Sequence, residues 1–352
     1  MAAVRDRAAA SGLRVLDLSI GAPTDPTPDV VRAALARASD WPGYPLTVGR
    51  RELRQAYVDW LARTHGVTGL ELGAALPVIG TKELIGSLAL HLGLGPGDLI
   101  SRPRLAYPTY AVGAALVRAE VAVADTVADL DALPAVPRIV WVNSPGNPTG
   151  QVLDAETLAG FVAWCRAHGS LLVSDECYLD LGWEAQPVSV LHPDVCGGTH
   201  AGLLAVHSLS KRSNLAGYRV GFVAGDADVV AELATVRRNL GLQMPGPQQQ
   251  AAVAALGDET HVDRQRERYR ARRAALRPAV EAAGFVVEHS EGGMYLWATR
   301  GEPAVGAIGW LADRGIVAVS GAEYGAAGER HVRFALTAPD ADVAEAAVRL
   351  AR

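Results

Sequence analysis

Lysine is nearly absent from this chain, although basic residues in general are not. Two of the 33 basic residues are lysines, Lys82 and Lys211, and all the others are arginines. Arginine therefore serves wherever a plain positive charge suffices, and a retained lysine indicates chemistry that a guanidinium cannot perform. A desolvated amine can lose its proton and condense with a carbonyl to a Schiff base. Lys211 follows the apolar segment 203–206, and we interpret it as such an amine.

Cysteines and long apolar runs are also scarce. The three cysteines form no C-x-x-C pair, which disfavours a disulfide framework and a zinc site and indicates free thiols in a reducing compartment. No apolar run approaches the roughly 20 residues that span a bilayer. Residues 1–13 carry charges at positions 5, 6 and 7 without an apolar stretch behind them. We therefore expect no secretory signal, no membrane span and a cytoplasmic location.

The chain has no strong excess of either charge. Its net charge of −5 and its pI near 6.0 provide no general attraction to nucleic acid or to an anionic membrane. The arginines of residues 264–277 alternate with glutamate and alanine, which favours a solvated amphipathic helix over a nucleic-acid patch. A length of 352 residues with 49% apolar residues favours two domains with ample cores.

Short apolar segments alternate with helical ones through the middle of the chain, which predicts an α/β fold with helices on both faces of a mostly parallel sheet. The predicted strands are residues 138–142, 171–174, 203–207 and 220–224. The predicted helices include residues 81–92 and 263–283. We assign residues 41–262 to a large domain, and residues 1–40 together with 263–352 to a smaller α/β domain.

Four polar segments come at the ends of predicted strands. They are residues 143–150, 175–178, 208–211 and the loop that leads into Thr81. Ligands of open α/β sheets bind beyond the carboxyl ends of the strands, so segments that share this edge form one site. We therefore expect these four segments to meet around Lys211.

If Lys211 forms a Schiff base with pyridoxal phosphate, the site needs three further kinds of group. A phosphate needs a helix N-terminus, hydroxyls and a guanidinium, and the pyridine nitrogen needs a carboxylate. The phenolic oxygen of the ring needs donors. The candidates for the phosphate are Thr81, Lys82, Ser208, Ser210 and Arg219, for the nitrogen Asp175, and for the phenolic oxygen Asn147 and Tyr178.

Each of these features has a simpler interpretation when taken alone. Asp175 could cap a turn, Tyr107 could be an ordinary buried aromatic, and residues 143–150 could be only a turn rich in proline and glycine. Lys82 is better interpreted as a supporting charge than as a second nucleophile. A nucleotide-binding loop around Lys82 is disfavoured because the spacing G-x-x-x-x-G-K-[ST] is absent.

The order and spacing of the segments resemble the fold-type I, class I and II aminotransferases over nearly the whole chain. The matching sequences are Gly80-Thr81-Lys82, Tyr107-Pro108-Thr109-Tyr110, residues 143–150, Ser174-Asp175-Glu176-Cys177-Tyr178, residues 208–211 with 215–221, residues 292–297 and Val332-Arg333-Phe334. The resemblance implies pyridoxal 5′-phosphate as cofactor, no metal, and a large domain built on a mostly parallel seven-stranded sheet covered by helices.

The resemblance also implies roles for individual residues. Lys211 would hold the cofactor and move the proton between the substrate Cα and the cofactor, while Tyr107 would stack on the ring. Arg333 and Asn147 would bind the substrate α-carboxylate near the backbone of Gly21. Tyr44 matches a tyrosine that reaches the phosphate of a neighbouring subunit, which implies a homodimer with shared active sites.

Residues 174–183, 187–196 and 77–84 are similar to those of actinobacterial N-succinyldiaminopimelate aminotransferases. This similarity implies amino transfer between glutamate and N-succinyl-2-amino-6-ketopimelate in lysine biosynthesis. The alternatives are another class I or II aminotransferase (aspartate, aromatic or broad specificity), a β-lyase that uses the same cofactor, and a cofactor-binding regulator without catalysis. Arg14, Arg237 and Arg238 are suggested as residues that read the distal end of the substrate, and a role of Arg212 toward acidic substrates is open.

Overall fold

The computed structural model describes residues 1–351. The α-helices of this part of the chain are α1 (Ala2–Ala10), α2 (Asp29–Arg37), α3 (Arg51–His65), α4 (Thr81–His91), α5 (Thr109–Val117), α6 (Val127–Asp131), α7 (Ala155–His168), α8 (Pro193–Cys196), α9 (Leu209–Arg212), α10 (Ala227–Asn239), α11 (Gly246–Leu256), α12 (Thr260–Ala282), α13 (Ala304–Ala312) and α14 (Asp340–Leu350). The strands are β1 (Leu16–Asp17), β2 (Ala75–Val78), β3 (Leu99–Arg102), β4 (Glu120–Val123), β5 (Ile139–Asn143), β6 (Leu171–Asp175), β7 (Leu203–Ser208), β8 (Gly221–Gly225), β9 (Val286–Glu288), β10 (Tyr295–Thr299), β11 (Ile316–Val317), β12 (Val319–Ser320) and β13 (His331–Ala335).

The largest sheet has seven strands in the order β2-β8-β7-β6-β5-β3-β4. Strand β8 is antiparallel to both of its neighbours, and the other pairs are parallel. The expectation of a mostly parallel seven-stranded sheet is therefore confirmed. The pairing register sets Asn143 of β5 opposite Asp175 of β6, so that these two polar residues end adjacent strands at the same edge.

The predicted elements of the middle of the chain lie where the pattern placed them. The four predicted strands correspond to β5, β6, β7 and β8, with ends that differ by one residue at most, and the helix predicted at 81–92 is α4. Helix α12 begins three residues earlier than predicted. The cause is Asp258, whose carboxylate accepts hydrogen bonds from the backbone N–H groups of Thr260 and His261 over 3.2 and 3.3 Å.

Side chains of the seven-stranded sheet alternate between two apolar layers, as expected for a sheet covered on both faces. In β5, Val140 and Val142 pack in the layer that contains the side chains of α3, α7 and α11. Ile139 and Trp141 pack in the opposite layer, with the side chains of α4, α5 and α10. The full coverage of both faces leaves the carboxyl edge of the sheet as the place where polar side chains gather.

A four-stranded antiparallel sheet, β12-β13-β10-β9, and the short parallel pair β1-β11 surround a further apolar core. Side chains of α12 and α14, such as Leu276 and Val343, pack in this core. Val31 of α2 instead packs in the core of the seven-stranded sheet. Since residue 31 belongs to the segment that we assigned to the smaller domain, the boundaries 41–262 and 1–40 with 263–352 stay a proposal.

The arginine-rich segment 264–277 lies within α12. It is amphipathic as predicted, but it is not uniformly solvated, because Arg272 is buried and forms an ion pair with Asp25 at 2.6 Å. No helix within residues 1–351 is both long enough and apolar enough to cross a membrane.

Candidate active site

A cavity of about 490 Å³ lies at the carboxyl edge of the seven-stranded sheet, beside residues of the smaller sheet. Its walls bring together nearly all the side chains that the sequence assigned to one site. These are Gly21, Thr81, Lys82, Tyr107, Asn147, Asp175, Tyr178, Ser208, Ser210, Lys211, Arg219 and Arg333. The remaining predicted residue, Tyr44, does not line the cavity and is 98% exposed.

Lys211 reaches the cavity from the short helix α9, which follows β7 directly. The hydroxyl of Ser208 caps this helix by accepting the N–H of Ser210 over 3.1 Å. The Lys211 amine donates a hydrogen bond to the backbone carbonyl of Gly21. A Cβ at position 21 would lie 2.1 Å from Oη of Tyr295, so only glycine fits there. The amine therefore binds a neutral carbonyl, and no carboxylate of the described residues forms an ion pair with it.

Asp175 ends β6 and is buried, with 5% of its surface exposed. Its Oδ2 accepts the hydroxyl of Tyr110 over 2.7 Å, and its Oδ1 accepts the N–H of Cys177 over 3.2 Å. Burial raises the pKa of the Asp175 carboxyl, although these two hydrogen bonds act in the opposite direction. No basic side chain of residues 1–351 forms an ion pair with it. A buried carboxylate without a cation fits a protonated ring nitrogen as its partner.

Asn143 ends β5, and Asn147 lies in the loop that follows it. Oδ1 of Asn143 accepts the N–H of Asn147 over 2.8 Å, and Nδ2 of Asn143 donates to the carbonyl of Asp175 over 2.8 Å. These two bonds tie the loop to the end of β6. Oδ1 of Asn147 accepts Nη1 of Arg333 over 2.9 Å, which leaves its amide N–H groups as donors for a ligand.

Arg333 of β13 is a buried cation whose partners are all neutral. Its Nη2 donates to the carbonyl of Ser19 over 2.8 Å, and its guanidinium lies 3.9 Å from the ring centroid of Tyr295. Its Nε is buried without a hydrogen-bond partner. No carboxylate of the described chain pairs with this side chain, which is 5% exposed. A ligand carboxylate would supply the missing negative charge.

The N-terminus of α4 and Arg219 form the end of the cavity that suits a phosphate. Gly80 precedes the helix with φ 78°, and a Cβ there would lie 2.2 Å from Nη2 of Arg219. A Cβ at Gly221 would lie 3.1 Å from the N–H nitrogen of Thr81. The two glycines thus allow the guanidinium and the first turn of α4 to come together. Because no side chain caps this helix, its N–H groups stay available for an anion.

Tyr178, Tyr295 and Tyr107 all line the cavity. Oη of Tyr178 lies 3.1 Å from Oη of Tyr295, and burial, reinforced by Tyr295, raises the pKa of Tyr178 well above its usual value. Tyr178 therefore remains a protonated donor. Tyr107 is half-buried and lies 5.8 Å, from ring centroid to Nζ, from Lys82.

The arginines suggested for the distal end of the substrate do not line the cavity. Arg14 pairs with Asp342 at the surface, and Arg238 lies at a different cavity. Arg237 is fully buried, and its two terminal nitrogens lie 2.8 Å from the carboxylate oxygens of Glu83. None of the three lines this cavity in its own chain, so their suggested contact with the distal end of the substrate stays a prediction.

Arg212, the residue after Lys211, is 2% exposed and points away from the cavity. It pairs with Asp180 and Glu259, each at 3.0 Å, and its guanidinium lies 4.9 Å from a Trp60 ring centroid. Burial alone would raise the pKa of Asp180, but Arg212 and His65 lower it to about 2. Arg212 therefore fixes α9 in the fold rather than contacting an acidic substrate.

Sequence reasoning assigned no role to several residues of the site. Tyr110 binds Asp175, and Sγ of Cys177 lies 3.3 Å from the Thr81 hydroxyl. Burial raises the pKa of Cys177 well above its usual range, so the thiol stays neutral. The other unassigned side chains of the wall include Ile20, Tyr295, Val319, Glu323 and Tyr324. The sequence signal for Tyr110 and Cys177 was their place beside Tyr107 and Asp175 in the same short motifs.

The sequence matches the family model described as "Aminotransferase class I and II" over residues 14–350. It is 56% identical over 336 residues to a probable aminotransferase of Mycobacterium tuberculosis, covering 96% of this chain and 80% of the relative. It is 53% identical over 346 residues to the 4-dedimethylamino-4-oxo-anhydrotetracycline transaminase OxyQ of Streptomyces rimosus, covering 98% and 96% of the two chains. The structure superimposes on a probable N-succinyldiaminopimelate aminotransferase of Thermus thermophilus with a TM-score of 0.88 and 29% identity, over 99% of this chain and 98% of the other.

Proposed function

Because this chain belongs to the class I and II aminotransferases, we propose that it exchanges amino groups between amino acids and keto acids with pyridoxal 5′-phosphate bound at Lys211. One observation carries the proposal. An amine without a carboxylate partner, Lys211, and a buried carboxylate without a cation partner, Asp175, line the same cavity.

The side chains of the cavity fit this cofactor group by group. The first turn of α4 with Thr81, the hydroxyls of Ser208 and Ser210, and Arg219 would hold the phosphate, with Lys82 as a nearby positive charge. Asp175 would pair with the ring nitrogen and Tyr107 would pack on the ring. The glycine at position 80 supports this assignment, because any side chain there would displace the guanidinium from the phosphate end.

When bound, pyridoxal phosphate supplies an aldehyde that condenses with amines and a ring that accepts electron density from the substrate Cα. Lys211 would take the Cα proton of the bound amino acid, a task for which an amine without a carboxylate partner is suited. Asp175 would pair with the ring nitrogen. Tyr178 and the amide of Asn147 would donate hydrogen bonds to the phenolic oxygen. Arg333 holds the α-carboxylate and so fixes which bond of Cα faces Lys211.

For the pair of substrates we propose glutamate as donor and N-succinyl-2-amino-6-ketopimelate, an intermediate of lysine biosynthesis, as acceptor. Support comes from the similarity of residues 174–183 and 187–196 to actinobacterial N-succinyldiaminopimelate aminotransferases, and from the structural similarity to the probable N-succinyldiaminopimelate aminotransferase of Thermus thermophilus. Both substrates end in a distal carboxylate, which needs a cationic partner beyond Arg333.

A second class of acceptor is supported by four residues that line the cavity and by the name of one relative. Ile20, Val319 and Tyr324 line the cavity together with the carboxylate of Glu323, for which residues 1–351 provide no ion pair. The transaminase of Streptomyces rimosus described above is named for a 4-dedimethylamino-4-oxo-anhydrotetracycline. An acceptor with an apolar or uncharged distal part would suit such a wall better than a dicarboxylate does.

The deciding experiment measures kcat/KM for a panel of acceptors with glutamate as donor. The panel contains the N-succinyl keto acid, 2-oxoglutarate, neutral keto acids and a polycyclic ketone. A preference for the N-succinyl keto acid supports the first proposal, and a preference for uncharged acceptors refutes it while leaving amino transfer intact. Glu323→Gln is the matched variant, and it should improve dicarboxylate acceptors without improving neutral ones.

We further propose a cytoplasmic homodimer in which Tyr44 contacts the phosphate of the neighbouring site. The support is the resemblance of Gly43-Tyr44-Pro45 to the family motif and the exposure of this tyrosine, which is 98%. Light scattering at assay concentration tests the proposal, since a catalytically active monomer would contradict a shared site.

A further inference from the structure

Tyr110 is a buried polar residue to which the roles above give no task. It lies in the first turn of α5, with 1% of its surface exposed. Its hydroxyl donates to Oδ2 of Asp175 over 2.7 Å. Its ring stacks on Trp141, with centroids 4.7 Å apart and an interplanar angle of 18°, and meets Tyr107 edge-on at 6.0 Å. The two aromatic neighbours hold the ring, so the hydroxyl has a defined position.

We propose that Tyr110 is a positioning residue that keeps the Asp175 carboxylate ionised and fixed in orientation for the ring nitrogen of the cofactor. This inference rests on the proposed pyridoxal phosphate function. Tyr110 acts only through Asp175.

The hydrogen bonds of Asp175 support this assignment. Oδ2 is bound by Tyr110 and Oδ1 by the N–H of Cys177, so each oxygen has one protein donor and keeps further acceptor capacity toward the cavity. Two donors on different oxygens prevent rotation of the carboxylate. A fixed acceptor lowers the cost of forming the ion pair when the cofactor binds.

The charges around Asp175 explain why a donor is needed. The titratable groups that face it are Tyr110 from α5, Cys177 and Glu176 from its own segment, and Lys211 across the cavity. Burial raises the pKa of the Asp175 carboxyl, and Glu176 adds to this effect, whereas the hydroxyl of Tyr110 opposes it. Burial also raises the pKa of Tyr110 well above its usual value, so it remains a protonated donor at any working pH.

The surroundings of the ring offer no other reason for a hydroxyl. Tyr110 packs in an apolar layer with Ile85, Ala114 and Trp141, where phenylalanine would fill the same space. A buried hydroxyl stabilises a fold only when it is hydrogen-bonded. Within the described residues, Asp175 is the only side chain that forms a hydrogen bond with the Tyr110 hydroxyl. The tyrosine is thus explained by its effect on the carboxylate.

The test compares Tyr110→Phe with Tyr57→Phe. Tyr57 is the matched control, because it is fully buried and its hydroxyl lies 2.6 Å from Nδ1 of His207 rather than at Asp175. The first measurement is the pKa of Asp175 in the cofactor-free protein, from infrared spectra in which Asp175→Asn identifies the carboxyl band. We expect this pKa to rise in Tyr110→Phe and to stay unchanged in Tyr57→Phe.

The second measurement is the dissociation constant of pyridoxal phosphate. Loss of a hydrogen bond to a charged group should weaken binding roughly tenfold in Tyr110→Phe. The difference in cofactor affinity between Tyr110→Phe and the wild type should grow as the pH falls, because a larger fraction of Asp175 is then protonated in the variant. In an Asp175→Asn background the Tyr110→Phe change should have no such effect, since the carboxylate on which it acts is gone.

If Tyr110→Phe does not fold, site-specific replacement of Tyr110 by a difluorotyrosine keeps the ring and strengthens the donor. The pKa of Asp175 should then fall. If neither substitution changes the pKa of Asp175, the inference about Tyr110 is refuted, whereas the proposed function is not. A wild-type protein that binds no pyridoxal phosphate overturns the proposed function, whereas the response of the Asp175 pKa in the cofactor-free protein still decides whether Tyr110 controls the carboxylate.

Discussion

Replacing Arg333 by glutamine tests how the proposed site recognises an amino acid. The guanidinium is 5% exposed, and its two protein hydrogen bonds, 2.9 Å to Asn147 and 2.8 Å to the Ser19 carbonyl, go to neutral oxygens. The substrate α-carboxylate would therefore be its only charged partner. Removing one member of a buried, hydrogen-bonded charge pair costs about 3 kcal/mol, which is on the order of a hundredfold in kcat/KM.

The assay compares glutamate with an amine that lacks the α-carboxylate. Arg333→Gln should lower kcat/KM for glutamate about a hundredfold and leave the slow reaction of the amine nearly unchanged. Arg333→Lys is the control, because it keeps the charge but loses the two-pronged geometry, and it should fall between the wild type and Arg333→Gln. The visible absorbance of the bound cofactor reports whether each variant still assembles its site. An equal loss for glutamate and for the amine would refute carboxylate recognition by Arg333.

Three further predictions concern other parts of the site. Lys211→Ala and Lys211→Arg should both bind the cofactor without covalent attachment and lose essentially all turnover, and activity of Lys211→Arg within about tenfold of the wild type would contradict the assignment. Asp175→Asn should fold normally and be slowed mainly in Cα-proton removal, which a single-turnover rate with glutamate measures. Asp180, whose pKa Arg212 and His65 lower to about 2 against the effect of burial, stabilises the fold above its unfolded pKa. In denaturant unfolding, Asp180→Asn should cost about 2 kcal/mol at neutral pH, and the difference should shrink as the pH falls from about 4 toward 2; a difference that is constant over this range would contradict the linkage.

The strands that carry the proposed catalytic residues could be predicted because they are buried on both faces. The predicted strands 138–142, 171–174 and 203–207 contain the continuous apolar runs 139–142, 171–173 and 203–206, the pattern of parallel strands covered by helices, and they occur as β5, β6 and β7. Strand β4 has no such pattern. Its side chains are exposed or half-exposed at the edge of the sheet, so hydrophobicity gave no signal for it.

The partners of the arginines could not be predicted in the same way. Arg237 and Glu83 lie 154 positions apart in the sequence, and Arg212 pairs with Asp180 and Glu259. Nothing local distinguishes a guanidinium that pairs inside the fold from one that faces a ligand. The same holds for Arg333, for which only the resemblance of its motif implied a role.

From the sequence alone we could identify Lys211 as the reactive amine, the polar segments that follow the strands, and the family. These features depend only on residue type and spacing along the chain. Tertiary structure alone decided which charges are unpaired. Asp175 and Arg333 come from different sheets, and each lines the cavity without a counter-charge from the described residues. Burial and pairing depend on which distant segments pack together, and a side chain's charge becomes useful to a ligand only where that packing leaves it unmatched.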